Sequence, residues 1–244
     1  MRVEVTRQVH YSDVDTGFRI RLSTLLRLFQ DVSALHSELT GFGIRALSEQ
    51  GVTWVLGKLA IDVDHYPEYG DALRMTSWSR GASGFRMLRD FELQANGQHV
   101  GGGSSVWFYF ERKAGKVTRV PATINRAYGV DHDLALAEGV ECWTPYERFD
   151  AETVRTYTPG AFDLDAGGHV NNARYVDYVM DAADALIDGA RVRSARIQFS
   201  REITPVDPVE IGIRRDGPCV LFKLSGDMGM FARGEMHIVP AHAP

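Results

Sequence analysis

Cysteine is scarce: Cys142 and Cys219 are the only two in 244 residues. Two thiols make neither a disulfide framework nor a Cys-rich zinc site, and they read as free thiols of a reducing compartment. Long apolar runs are missing too, and no stretch approaches the roughly 18–20 residues that span a bilayer. The opening MRVEVTRQVHYSD alternates from its second residue, without the apolar core of a signal peptide or a transit-like arm. A soluble, cytoplasmic protein with no membrane span is the expectation. Basic excess is also absent, because 27 Lys and Arg face 32 Asp and Glu for a net charge of −5. Duplex-binding proteins are more often basic, so nucleic acid is not an expected partner. No G-x-S-x-G elbow offers a nucleophilic serine, and none of the eight histidines shows metal-ligand spacing. No metal is expected.

What is present is ordinary globular composition, 44% hydrophobic and 24% charged, in a chain long enough for two cores. Its organising feature is an internal repeat. Ser12-Asp13-Val14-Asp15-Thr16-Gly17 is matched by Phe162-Asp163-Leu164-Asp165-Ala166-Gly167 at an ungapped offset of 150. A helical pattern follows each copy. In the first, Leu25, Leu28, Phe29, Val32, Leu35 and Leu39 recur at helical steps, with Ser23 as a cap and Gly41 as a stop. In the second, Val176, Val179, Met180, Ala183 and Ile187 recur before Gly189, with Asn171 and Asn172 at the cap.

Strand-like segments come next: 52–63, 72–80, 85–93, 106–111 and 117–120 after the first helix, and 192–199, 209–214, 220–224 and 231–239 after the second. Each half therefore reads as a strand, one long buried helix and an antiparallel meander. The predicted class is α+β, a sheet wrapped around a helix, made twice. The predicted boundaries are 1–130 and 151–244, joined by a connector at 131–150.

Charge is uneven. Residues 131–190 hold thirteen acids against Arg148, Arg155 and Arg174, whereas 74–119 hold eight basic residues against Asp90, Glu92 and Glu111. Residues 191–215 add six arginines against Glu202, Asp207 and Glu210. Solvated surface is the plainer explanation for any one arginine, but two basic stretches on an acidic chain leave room to dock an acidic partner.

The run Gly101-Gly102-Gly103-Ser104-Ser105 has no following Lys-Ser/Thr and leads into a strand pattern, so it is not a phosphate cradle. Small residues that let a sheet approach a helix explain it better. His10, His36, His65, His99, His132, His237 and His242 lack supporting neighbours and read as surface or satisfied core groups. His169 differs. In Asp163-Leu164-Asp165-Ala166-Gly167-Gly168-His169-Val170-Asn171-Asn172, two acids, a histidine and two amides meet at a helix start. Unpaired N–H groups there hold a developing oxyanion, and a carboxylate beside an imidazole orients it. The plainer reading is an asparagine cap flanked by chance, but the first copy argues against it. At the matching positions that copy has Arg19, Arg21 and Leu22, so only the second half keeps a titratable set. Glu202, after the strand ending at Phe199, is a second candidate; on spacing alone it reads as a surface partner of Arg201.

Taken together, these residues resemble the acyl-ACP thioesterases, a plant and bacterial double-hotdog family. The likeness runs through Trp54-Val55-Leu56, Tyr66-Pro67-Glu68-Tyr69-Gly70-Asp71, Trp78-Ser79-Arg80 and Trp107-Phe108-Tyr109-Phe110. It is most specific at Asp163-Leu164-Asp165-x-x-x-His169-Val170-Asn171-Asn172-x-x-Tyr175. The resemblance implies a tandem hotdog that hydrolyses fatty acyl-acyl carrier protein, with Asp165, His169 and Glu202 as catalytic residues. It implies substrate contacts at Asn171, Asn172, Tyr175 and Trp54, an oxyanion site at the backbone of Val170 and Asn171, and no cofactor.

The chain departs from the plant pattern at two places. Plant members usually carry Asn where Gly167 stands and Cys where Ile203 stands, and no cysteine occurs in 191–215. A Cys-His-Asn nucleophile therefore does not carry over, and attack by water is expected. The same resemblance puts the acyl pocket in the first half and makes acyl carrier protein the partner, with the arginines of 191–215 as first docking candidate. An acyl-CoA thioesterase, a hotdog dehydratase and a non-catalytic acyl-thioester-binding module remain alternatives, and monomer and homodimer are both open.

Overall fold

The two Asp-x-Asp-x-Gly strings each open a unit of the same design. In the computed structural model, which describes residues 1–187, 189–205 and 208–240, the chain divides into Met1–Cys142 and Trp143–Pro244. Asp207 and His242 lie outside the described residues.

The first unit contains β1 (Arg2–Gln8), α1 (Leu22–Leu39), α2 (Ile44–Glu49), β2 (Val52–Val63), β3 (Ala72–Ser83), β4 (Arg86–Ala95), β5 (Gln98–Glu111), β6 (Lys116–Val117) and α3 (Ala122–Tyr128). The second contains β7 (Thr153–Tyr157), α4 (Asn172–Ile187), β8 (Arg191–Phe199), β9 (Val209–Asp216), β10 (Cys219–Gly226) and β11 (Gly229–Val239). Antiparallel pairing gives the strand order β1-β3-β4-β5-β2 in the first unit and β7-β9-β10-β11-β8 in the second. In their five main strands and one long helix these are one topology, to which the first unit adds α2, β6 and α3. Each is a sheet packed on one long helix, the α+β design that the repeat implies and the tandem hotdog that the resemblance implies.

Helix α1 buries Leu25, Phe29 and Val32 as its periodicity predicts, but Leu35 and Leu39 are exposed. The core-facing stripe instead turns through Ser33, His36 and Ser37. Ser23 is not the cap: it lies buried inside the helix, and Arg21 occupies the cap position without a side-chain bond. Gly41 ends the helix at φ 79°. There Gly41 N donates to Glu38 O at 3.1 Å and Phe42 N to Ser37 O at 2.9 Å, the paired closure of a Schellman motif.

Strand β5 starts well before the predicted 106, because the glycine run is part of it. A Cβ on Gly103 would collide with the Phe29 ring of α1 and reach to 3.0 Å from Ala60 O. Phe29 in turn stacks on Phe91 at 4.2 Å. Gly103 is thus a place where sheet and helix touch, as expected, whereas Gly101 and Gly102 face the Asp62, Phe91 and Ala135 backbone. The low strand propensity of the run hides the strand from pattern reading.

The segment predicted as a connector is divided between the units. Asp133 O accepts from Trp78 Nε1 at 2.9 Å, Ala135 N donates to Asp90 Oδ2 at 3.0 Å, and Glu141 bonds Arg80. Beyond Cys142, Trp143 Nε1 donates to Glu235 Oε1 at 2.9 Å and Lys223 Nζ to Phe149 O at 3.4 Å.

His36, expected to be a surface or satisfied core group, is wholly buried on α1. Its Nδ1 accepts from Arg89 Nη1 at 2.9 Å, and Arg89 also donates to Ser77 Oγ at 2.9 Å. Arginine is always a donor, so the imidazole is neutral with its proton on Nε2. Burial, reinforced by the Arg89 charge, lowers its pKa to about 3. The unfolded chain takes up a proton near pH 6.5 that the folded chain refuses, so stability falls as pH drops below 6.5. This one group costs about 2 kcal/mol between pH 7 and 5. Urea unfolding at both pH values should show that loss in the wild type and not in His36→Leu. Equal pH sensitivity of the two would contradict the assignment.

Candidate active site

The Asp-x-Asp-x-Gly loop owes its shape to bonds that recur at the repeat offset. Asp163 Oδ2 accepts from Gly160 N at 2.7 Å, as Asp13 Oδ2 does from His10 N at 2.8 Å. Asp165 Oδ1 accepts from Gly167 N at 2.7 Å, as Asp15 Oδ1 does from Gly17 N at 2.8 Å. Asp165 N donates to His169 O at 2.8 Å and Asn171 N to Asp163 O at 2.9 Å, matching Asp15 N to Arg19 O and Arg21 N to Asp13 O. The backbone also turns left-handed at one point in each copy, φ 83° at Gly168 and 61° at Phe18. Glycine adopts this freely, whereas an L side chain pays roughly 1–2 kcal/mol.

Asp163 is buried and anchors the loop to α4 through Arg174, whose Nε lies 2.7 Å away. Burial pushes its carboxyl upward, but the Gly160 N–H and Arg174 outweigh this and hold it below the usual carboxylate range.

On this frame stands His169. Its Nε2 lies 3.2 Å from Glu202 Oε2, with the two side chains 38% and 54% exposed. The pair that sequence alone could only suggest is therefore in contact and open to water. Glu202 reaches it because the chain turns sharply after β8: Ser200 N and Arg201 N both donate to Phe231 O, at 2.8 and 3.2 Å. Ile203, fully buried, is fastened on both sides. Its carbonyl accepts from Val170 N at 3.0 Å, and its N–H donates to Tyr175 Oη at 3.0 Å.

Those bonds correct several expectations. The N–H groups of Val170 and Asn171 are not available for an oxyanion, since they are spent on Ile203 O and Asp163 O. Asn171 caps α4 as predicted, its Oδ1 accepting from Ala173 N at 2.9 Å. The helix-start N–H that donates to no acceptor among the described residues is that of Asn172, the first residue of α4. Tyr175, expected to contact substrate, is buried to 2% exposure with its hydroxyl on the Glu202 loop. Beyond the backbone bond of Asp165 N to His169 O, the Asp165 carboxylate makes no hydrogen bond to the His169 imidazole among the described residues. Gly167 lies between them, and a Cβ added there would stand 3.0 Å from Asp165 Oδ1 and 3.5 Å from His169 Nδ1.

Trp54, in the first unit, meets Tyr109 edge-on at 5.1 Å and packs on the cluster of Leu47, Val52, Met87 and Ile124. Both cysteines are free, and burial, then Glu235 and Asp216, push the half-buried Cys219 thiol up, away from thiolate character. Among the described residues no group of three or more His, Cys, Asp or Glu converges as a metal would require. The role of Tyr175 is the feature that spacing misses; its signal was Leu25 at the matching position of the first copy.

The acyl-ACP thioesterase N-terminal domain model matches residues 3–128, and the corresponding C-terminal domain model matches residues 146–227. Among curated proteins, a chloroplastic palmitoyl-acyl carrier protein thioesterase of Arabidopsis thaliana is 25% identical over 194 residues, 74% of this chain and 47% of its own. The chloroplastic oleoyl-acyl carrier protein thioesterase 2 of the same plant is 23% identical over 226 residues, 85% of this chain and 62% of its own. This chain thus spans about half the length of the curated relatives it matches. Among solved structures, an acyl-ACP thioesterase from Bacteroides thetaiotaomicron superposes with TM-score 0.88 at 20% identity, covering 98% of both chains. The 12:0-ACP thioesterase from Umbellularia californica superposes with TM-score 0.86 at 21% identity, covering 98% of this chain and 97% of its own. These two show the fold.

Asp165 and Asp15 make the same bond although only the second loop has a histidine at the position of His169, so a loop-shaping role for Asp165 gives a direct test. Asp165→Asn keeps an oxygen for Gly167 N–H and should retain thioester turnover within about threefold, whereas Asp165→Ala should lose about tenfold. Equal loss in both variants would assign Asp165 a role through its charge.

Proposed function

The chain belongs to the acyl-ACP thioesterase family, and on that premise we propose that it hydrolyses fatty acyl-acyl carrier protein to free fatty acid and carrier by direct attack of water. The observation that carries this reading is the 3.2 Å approach of His169 Nε2 to Glu202 Oε2 at a solvent-open helix start. The pair draws a proton from a water, whose oxygen adds to the thioester carbonyl carbon. The oxyanion so formed takes the helix-start N–H of Asn172, whose dipole end favours negative charge. Collapse breaks the carbon–sulfur bond, and the imidazolium returns the proton to the departing thiolate. A thiolate leaves readily, so no covalent acyl-enzyme is needed, consistent with Ile203 where the plant pattern has a cysteine.

The first unit, with Arg19, Arg21 and Leu22 at the histidine and amide positions, is free for the other task the resemblance implies, housing the acyl chain. For the carrier, the arginines of 191–215 do not act as a block. Arg191, Arg193 and Arg196 are half-buried along β8. Arg215 donates to Leu186 O and Gly217 O. Arg201 and Arg214 are both exposed, and Arg201 is the one adjacent to Glu202, which makes it the docking residue of this proposal. Among the described residues no helix is long and apolar enough to cross a membrane.

Thiol release from acyl carrier protein charged with a series of chain lengths, beside the matching CoA esters, tests the reading. Fast release from the carrier series with a length optimum is expected. Release from CoA esters alone would move the protein to a different thioesterase specificity, and binding without release would make it an acyl-thioester-binding module. Arg201→Gln should raise KM for the carrier substrate several-fold and leave short free thioesters unchanged; an unchanged KM would remove Arg201 from the docking surface.

A further inference from the structure

Glu202 makes no backbone hydrogen bond among the described residues, and its side chain is over half exposed. Its place beside His169 is therefore imposed by its neighbours. On one side, Ser200 and Arg201 are tied to Phe231 O. On the other, Ile203 is tied to Val170. The remaining link spans both sides: Tyr175 Oη accepts from Ile203 N at 3.0 Å and donates to Arg201 O at 3.4 Å. One phenol oxygen thus bridges the peptide units flanking the glutamate. The ring is held in turn by Phe199, the last residue of β8, in an edge-on contact at 5.4 Å.

We propose that Tyr175 is a positioning residue for hydrolysis, its hydroxyl clamping the backbone around Glu202 so that the carboxylate meets His169. The inference rests on the reading of His169 and Glu202 as the hydrolytic pair.

The repeat separates this role from plain packing. The matching position of the first unit is Leu25, fully buried on α1. Leucine therefore satisfies helix-on-sheet packing at this place without bringing a hydroxyl that must find partners. The hydroxyl occurs in the unit that also has the histidine. A buried phenol that bonds the peptide units on both sides of the glutamate does what packing alone does not require.

Tyr175→Phe keeps the ring and removes the oxygen. On a short acyl thioester it should lower kcat about tenfold, the scale of a sub-ångström to ångström misplacement of a catalytic group, with KM within about twofold of wild type. In a Glu202→Gln background the same change should cost less than about twofold, because the group being positioned is gone. Tyr175→Leu, the residue of the first copy, serves if the phenylalanine variant folds poorly and should show the same kcat loss. Wild-type kcat in a folded Tyr175 variant, or an equal loss with and without Glu202, would overturn the proposal. Wild-type kcat in Glu202→Gln alone would instead overturn the hydrolytic pair.

Discussion

Every feature of the site depends on two aspartates that end their own loops. Asp163 and Asp165 use their side-chain oxygens to take up backbone N–H groups at Gly160 and Gly167, and the chain between β7 and α4 has one shape as a result. Each such bond is worth on the order of 1 kcal/mol net, but a buried carboxylate stripped of its partners would cost several times that. The frame is therefore cooperative. It places the histidine backbone opposite Asp165, sends Val170 N–H toward Ile203 and starts α4 at Asn172. The same frame in the first unit carries arginine and leucine instead, so it is scaffold, and under the proposed function the chemistry is what the second copy adds to it.

The added groups contribute little to stability. A polar contact as exposed as that of His169 with Glu202 is worth about 0–1 kcal/mol. The surrounding structure nevertheless commits a buried isoleucine backbone, a buried tyrosine hydroxyl and a strand-end turn to holding these two side chains together. Commitment of buried polar bonds to an exposed pair is hard to explain by folding alone, and it follows directly if the pair must meet a water and a thioester in fixed geometry.

Much of this was legible in the chain. The ungapped offset of 150 announces two units, and helical spacing finds α1 and α4 because apolar periodicity reports burial on one face. Most strands show for the same reason, except where β5 runs through glycines, of which Gly103 admits the Phe29 ring. His169 was found by type and by its absence from the first copy, whereas Asp165, which the first copy shares as Asp15, and Glu202 came from the family resemblance. What stayed hidden depends on partners remote in sequence. Whether the Val170 N–H is free is decided by the Ile203 carbonyl, and whether Tyr175 faces substrate is decided by the loop after β8. Ser23 looked like a cap because the type suits one, while the loop frame starts the helix at Leu22. The arginines of 191–215 looked like a patch because sequence proximity ignores which strand, face and loop each belongs to.

The central claim is that the second-unit histidine is part of the hydrolytic machinery and not an ornament of a helix cap. The most direct measurement is kcat of His169→Ala on an acyl-carrier thioester at neutral pH, with far-UV circular dichroism recorded on the same sample. The account predicts a loss of at least about 100-fold with an unchanged spectrum. Turnover close to wild type in a folded His169→Ala protein would contradict it.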